Sequence, residues 1–347
     1  DIRFDTFFMK GLPKIDDRHG VYFITGRQGS GKNYYAAMFL MKQPKSLCNK
    51  IKTNIKSLKI PGFTIEYFEK ISELYTDIEE HCIYVIDEIS RKYKKTIIEL
   101  VYRAKAGHPG GSLSCIDILN YLYNCKINLN NEERDRLVLS KGHVTPAIYS
   151  VLMDLGHIEA DEINTFRKID SRLQGHPDRK KIPELDANTG LLGQGLSIGI
   201  GMALGKKLKK REERIYVILG DGEMQEGQIW EGLMSGSHYR LDNLVAILDY
   251  NRLSSKDNVN KIMNLEPVKD KIKSFGWHTV EIDGHDIEQI RDAVEESEKV
   301  KGKPVFIIAN TIKGKGVDFM ENNPKWHSGS LTDEEYEKAI QSIERGI

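Results

Sequence analysis

The stretch from Ile215 to Ser254 constrains this chain more than any other part of it. It opens with an apolar run, Ile215 to Leu219, of the length and character of a buried strand. The run stops at Gly220-Asp221-Gly222. Two glycines around one carboxylate let the backbone turn sharply and approach a ligand closely. A helical segment containing Gly and Ser follows, then a second apolar strand, Leu244 to Leu248, which ends in Asp249-Tyr250-Asn251. Asp221 and Asn251 thus fall just past the carboxyl ends of parallel strands, where α/β sheets bind ligands. A carboxylate and an amide oxygen are hard donors suited to Mg²⁺ or Ca²⁺, and Mg²⁺ completes its shell with phosphate and water oxygens. The residues therefore point to a metal-diphosphate site. For a lone Gly-Asp-Gly, a plain strand-to-helix turn is the commoner reading; the whole stretch is more specific.

The 347 residues leave room for two domains. Lys plus Arg equals Asp plus Glu, 51 of each, which gives no support to a nucleic-acid or membrane-surface partner. No apolar run approaches the roughly 20 residues of a membrane span, and no leader is visible, so a cytoplasmic protein is expected. Cys48, Cys82, Cys115 and Cys125 are scattered without a Cys-x-x-Cys pair and read as reduced cytosolic thiols.

Residues 1 to about 92 have a different grammar. A β-branched and aromatic strand, Val21 to Thr25, leads into Gly26-Arg27-Gln28-Gly29-Ser30-Gly31-Lys32-Asn33 and a helix-like run, Tyr34 to Met41. Strand, glycine loop, lysine and helix is the layout that cradles phosphates on backbone N–H groups. Gly26, Gly31, Lys32 and Asn33 are the candidate nucleotide-binding residues, although Asn33 stands where a hydroxyl would meet Mg²⁺. The strand Ile83 to Ile86 ends in Asp87-Glu88, a candidate second metal-and-water site. This segment is read as a partial P-loop α/β unit.

From Lys94 onward strands and helices alternate, which argues a parallel sheet covered by helices on both faces. Helices are expected over 94–105, 115–123, 146–155, 196–205 and 265–274, and from Asp286 as N-cap through Glu298. Further strands are expected over 136–140, 277–282 and 304–310. Gly107 to Ser112 is expected to be a tight loop. Gly199, Gly201 and Gly205 read as close helix packing, not as a dinucleotide fingerprint. His108, His143, His176 and His327 each lie in a loop flanked by Gly, Pro or Ser. A single loop histidine is usually a surface residue; four at the ends of strands of one sheet suggest a shared pocket for proton handling.

GHPGGSLS (107–114), SKGH (140–143), QGHPD (174–178), TGLLGQG (189–195), GDGEMQEG (220–227), DYNRLS (249–254) and TIKGKGV (311–317) occur in one order. In that order they resemble the amino-terminal half of a transketolase over residues 92–347. The resemblance implies thiamine diphosphate as cofactor, with Asp221, Asn251 and the Leu253 carbonyl on Mg²⁺ or Ca²⁺. It further implies Gly222 and His143 against the diphosphate, and Gly190 and Leu192 near the aminopyrimidine and thiazolium. His176 would contact the hydroxyl end of a ketose donor, and His108 and His327 would manage protons at donor and acceptor oxygens. Glu226 resembles an acid buried at a dimer contact. The family's pyrimidine-binding half, with its activating glutamate, is not in these 347 residues. The resemblance therefore implies one subunit of a split transketolase, transferring a two-carbon ketol unit between sugar phosphates with a separate C-terminal partner chain. A hetero-oligomer with a homodimeric core would then bury surface around 193–205 and Glu226–Trp230. A deoxyxylulose-phosphate synthase-like enzyme is the nearest alternative. Residues 15–90 resemble a truncated P-loop ATPase of the zonula-occludens-toxin and phage-assembly type. On that resemblance a second alternative is an NTPase with a fused passenger, the domains dividing as 1–92 and 93–347.

Overall fold

The structure is a computed structural model and describes residues 50–53, 64–67, 82–85 and 89–345. The chain forms two compact units, 1–89 and 90–347. In the first, β1 (Lys50–Thr53), β2 (Thr64–Tyr67) and β3 (Cys82–Val85) make a parallel sheet with β1 in the middle. Strand β3 covers the start of the run expected to end in Asp87. Asp87 itself, and Gly26, Gly31, Lys32 and Asn33 of the glycine loop, lie outside the described residues.

The second unit is built on five parallel strands: β4 (Arg136–Leu139), β5 (Ile215–Gly220), β6 (Leu244–Tyr250), β7 (His278–Asp283) and β8 (Val305–Asn310). Their order across the sheet is β4-β5-β6-β8-β7. Every residue of β6 is buried, which happens only when helices cover both faces of a strand. Val217, Leu219, Leu244, Ala246, Leu248, Phe306 and Ile308 pack in one cluster with Leu196, Ile200, Ile229 and Leu233. The last four belong to helices α4 (Gln194–Leu208) and α5 (Gly227–His238). The remaining helices are α1 (Ile89–Ala104), α2 (Pro109–Cys125), α3 (Thr145–Asp154), α6 (Val259–Ile262), α7 (Val268–Ser274), α8 (Ile287–Lys299) and α9 (Asp333–Arg345). Asp286 caps α8 as expected, its carboxylate accepting from the N–H groups of Glu288 and Gln289.

Two expectations are corrected. Gly107 to Ser112 is not a tight loop: only Gly107 and His108 precede α2, which begins at Pro109. Proline suits the first helical position because its missing N–H has no partner there. The glycines after it admit neighbours that any side chain would exclude. A Cβ on Gly110 would lie 2.7 Å from the Trp326 carbonyl oxygen. Of Gly199, Gly201 and Gly205, all expected to pack closely, only Gly199 does so inside this unit, where a Cβ would meet Val217 Cγ2 at 2.4 Å. Gly201 and Gly205 have open space in front of them.

Candidate functional site

The carboxyl ends of β4, β5, β6 and β8 lie side by side, and the chain places its polar loops there. After β4, Ser140-Lys141 leads into a 3₁₀ turn, Gly142–Val144. A Cβ on Gly142 would fall 2.7 Å from Thr189 Oγ1 and 3.0 Å from the Gly190 nitrogen. That glycine therefore lets the SKGH and TGLLGQG segments touch. Thr189 Oγ1 also donates to the Leu139 carbonyl at 2.7 Å, which ties the two loops together.

Three of the four expected histidines meet. The ring centroids of His108 and His143 are 4.9 Å apart, those of His108 and His327 5.5 Å, and those of His143 and His327 5.3 Å. Burial, then the nearby Arg167 and His176 charges, lowers His108 to about 4. Burial, then Lys313, lowers His327 to about 3. His143 is also pushed well down, chiefly by burial and then by Lys141. All three rings are thus neutral near pH 7, able to accept or donate one proton. His108 Nδ1 is buried without a hydrogen-bond partner among the described residues. His176 is exposed at the edge of the cluster; a Cβ on Gly190 would approach its Cδ2 at 3.4 Å.

Asp221 follows β5 and is 4 % exposed. Its Oδ1 accepts from the Gly222 N–H at 2.7 Å, while Oδ2 is buried with no hydrogen-bond partner among the described residues. Burial, then the Asp249 charge, raises this carboxyl to about 7. A buried carboxylate oxygen without a donor is a site made for a cation. Asn251, just past β6, is also buried; its Oδ1 accepts from the Leu253 N–H at 3.1 Å. The Leu253 carbonyl already faces a positive group: Lys313 Nζ donates to it at 2.6 Å, to the Ser254 carbonyl at 3.0 Å, and lies 3.1 Å from His327 Nδ1. Burial lowers Lys313 to about 8, against the opposing pull of Asp221.

The sequence reading missed three groups. Asp249 is fully buried in β6 and gathers Lys141 Nζ, Ser114 Oγ, Thr311 Oγ1 and Asn251 Nδ2. Burial works against its charge, but Lys141 beside it holds the carboxyl below its ordinary range. The visible signal was a carboxylate inside an otherwise apolar strand. Lys313, inside the TIKGKGV motif, carried no expected role. Glu223 is the acid this chain buries: its Oε1 accepts from the Gly193 N–H at 2.8 Å and its Oε2 from the Gly220 N–H at 3.0 Å. Glu226, expected to be buried at a dimer contact, is exposed on the single chain. Leu192 is 38 % and Leu191 78 % exposed.

A five-stranded parallel sheet with a buried carboxylate, an amide and a histidine cluster at its carboxyl edge defines an α/β protein with a ligand site at the carboxyl ends of its strands. Residues 88–344 match the family described as "Transketolase, thiamine diphosphate binding domain", and the chain belongs to that family. It is 41 % identical over 263 residues to an apulose-4-phosphate transketolase subunit of Phocaeicola vulgatus, covering 74 % of this chain and 93 % of that protein. It is also 41 % identical to the "6-deoxy-6-sulfo-D-fructose transketolase subunit SqwG" of a Clostridium species, covering 73 % of this chain and 94 % of that one. Among solved structures, the transketolase of Campylobacter jejuni superposes with a TM-score of 0.67 at 32 % identity, covering 74 % of this chain and 42 % of that enzyme. The chain thus spans under half the length of that solved enzyme and nearly all of the subunit relatives.

The residues fit thiamine diphosphate. The buried Asp221 Oδ2, without a hydrogen-bond partner among the described residues, would suit a divalent cation accompanying the diphosphate. At Gly222 a Cβ would meet only Ser254 Cβ, at 3.8 Å, so the backbone there is open to a close-lying group.

Proposed function

We propose that this chain is the thiamine-diphosphate-binding subunit of a split transketolase-type enzyme. On this reading it transfers a two-carbon ketol unit between sugar phosphates with a separate pyrimidine-binding chain. The single observation that carries the proposal is the unpartnered Asp221 oxygen at the β5 end, in a chain spanning nearly all of two relatives named as transketolase subunits.

Asp221, Asn251 Oδ1 and the Leu253 carbonyl would hold Mg²⁺ or Ca²⁺, hard cations that favour oxygen donors. Lys313, whose ammonium lies on the Leu253 carbonyl, would stand beside that cation with a positive charge for the diphosphate. His143 and Gly222 lie against that diphosphate, and Gly190 and Leu192 face the aminopyrimidine and thiazolium. When bound, thiamine diphosphate supplies the electron sink for carbon–carbon cleavage. The chain's own histidines then handle protons. His176 binds the hydroxyl end of the donor, and neutral His108 and His327 accept and return protons at the donor and acceptor oxygens.

The partner surface is proposed on the α4 and α5 side. There Gly201 and Gly205 face open space, and Leu191, Leu208 and Met234 are 78 %, 76 % and 56 % exposed. Glu226 lies on the same side and would be buried by assembly. Small residues let a second backbone approach closely, and exposed apolar side chains such as Leu191 and Met234 gain by burial. The test is reconstitution with thiamine diphosphate, Mg²⁺ and a ketose phosphate, with and without a pyrimidine-domain chain. Turnover only with both chains supports the reading. Full turnover by this chain alone overturns it.

A further inference from the structure

Glu223 stands two positions after Asp221, on the 3₁₀ turn Gly222–Gln225, and only 2 % of it is exposed. Its carboxylate meets donors from three separate loops. Ser140 Oγ, just past β4, donates to Oε1. The Gly193 N–H, at the start of α4, donates to the same oxygen at 2.8 Å. The Gly220 N–H, at the end of β5, donates to Oε2 at 3.0 Å. Donors on both oxygens are the hydrogen-bonding set of an ionised carboxylate, which only accepts. Burying such a group is costly unless it is met in this way.

The loop 189–193 is tied down at both ends. At the first, Thr189 Oγ1 donates to the Leu139 carbonyl at 2.7 Å. At the second, Gly193 has φ +85°, the left-handed region open to glycine, and its N–H goes to Glu223. Just beyond, the chain passes close to β4: a Cβ on Gly195 would lie 2.6 Å from Ser140 Cα. Between the ties Leu191 and Leu192 are 78 % and 38 % exposed, so the apex of the loop has little packing of its own. The first tie ends on a backbone carbonyl. The second ends on a side chain, and that side chain also holds the ends of β4 and β5.

We propose that Glu223 is a positioning residue of the cofactor site, holding the loop 189–193 in register with the strand ends that carry Asp221 and His143. Gly190 and Leu192 on that loop are the residues proposed to face the rings of thiamine diphosphate. Gly220 and Ser140 adjoin the residues proposed to meet its diphosphate. One carboxylate thus sets the spacing between the ring end and the diphosphate end. Glutamine at 223 has the same shape but a single acceptor oxygen, and its amide N–H groups cannot accept from the second backbone N–H. This role rests on the proposed binding of thiamine diphosphate and deepens it by naming the group that aligns the two halves of the seat.

The test titrates the reconstituted two-chain complex and its Glu223→Gln form by calorimetry with Mg²⁺ present. The probes are thiamine diphosphate and inorganic pyrophosphate, which carries no rings. Loss of one hydrogen bond to a charged group corresponds to roughly ten- to a hundred-fold. Glu223→Gln should weaken thiamine diphosphate by about that factor and pyrophosphate by less than about three-fold. Equal weakening of the two, as a general loss of structure would give, overturns the assignment, and so does no weakening of either. A second measurement needs no ligand. In the cofactor-free full chain, hydrogen exchange over 189–195 should be faster in Glu223→Gln by a similar factor, with β6 unchanged. Unchanged exchange over 189–195, or faster exchange in β6 as well, also overturns the assignment. A wild-type complex that binds thiamine diphosphate, shows these differences on substitution and yet transfers no ketol group would support the role of Glu223 and sink the proposed reaction.

Discussion

At the scale of single residues, Asp221 is where burial and function conflict. A carboxylate with one oxygen unpartnered in a buried site is costly unless a cation meets it, and this cost supports its role as a metal ligand. Replacing it by Ala should abolish metal-dependent binding of thiamine diphosphate while leaving the fold intact. A calorimetric titration with an unchanged isotherm would count against the site. The histidine cluster makes a second prediction. His108 and His327 are held at about 4 and about 3, chiefly by burial, below the ordinary value of about 6.5. Between those values the unfolded chain binds protons that the folded chain refuses. Stability conferred by the neutral rings is therefore complete above about pH 6.5 and declines as the pH falls towards 4. Urea unfolding of the metal-free chain across that range should show a falling midpoint, with a shallower slope in a His108→Asn/His327→Asn variant. A slope unchanged by the substitutions would show that the rings titrate normally.

At the scale of elements, the loop after β8 is set by a relay from another part of the sheet. Asp117 on α2 is buried and accepts from Ser90 Oγ at 2.7 Å. His285 Nδ1 lies 2.8 Å from its other oxygen, and the Ile312 N–H donates to His285 Nε2 at 2.9 Å. Because Nε2 is the acceptor, Nδ1 carries the proton that goes to Asp117. The relay fixes the backbone just before Lys313, and so the reach of its ammonium to Leu253 and Ser254. His285→Ala should cost about 1–3 kcal/mol of stability, since it leaves a buried carboxylate short of a donor. It should also weaken cofactor binding by releasing the Lys313 loop. Unfolding and calorimetry on one preparation separate the two effects, and loss of stability with unchanged cofactor affinity would deny the relay its positioning role.

At the scale of the whole chain, the two units raise separate questions. The family match begins at residue 88, and the unit of residues 90–347 carries every element of the described site. We propose that the glycine loop around Lys32 takes no part in ketol transfer. Lys32→Ala should leave turnover of the reconstituted enzyme within a factor of about two, far below the roughly ten-fold that 1.4 kcal/mol of transition-state stabilisation represents. A large loss of turnover, or an ATPase activity of the purified chain that vanishes in this variant, would show that the segment has a function of its own.

The sequence by itself determined the strands and what stands at their ends. Apolar runs such as Ile215–Leu219 and the breaks at Gly220 and Asn251 are local signals, because a chain segment buried on both faces must be apolar throughout. The boundaries expected for most helices fall within a few residues of those found. The start of α2 at Pro109 was hidden because Gly-rich text reads as a loop. Only contact with the Trp326 carbonyl shows that those glycines make room within a helix. The tertiary structure alone decided which polar groups meet. Placing β8 between β6 and β7 brings Thr311 to Asp249 and Lys313 to Leu253, pairs 62 and 60 residues apart. It also decided that Glu223 is buried on this chain while Glu226 is exposed, though both follow the same Gly-Asp-Gly. Backbone periodicity is written into neighbours in sequence. The partner of a buried charge is chosen by strand order and loop path, which local pattern does not encode.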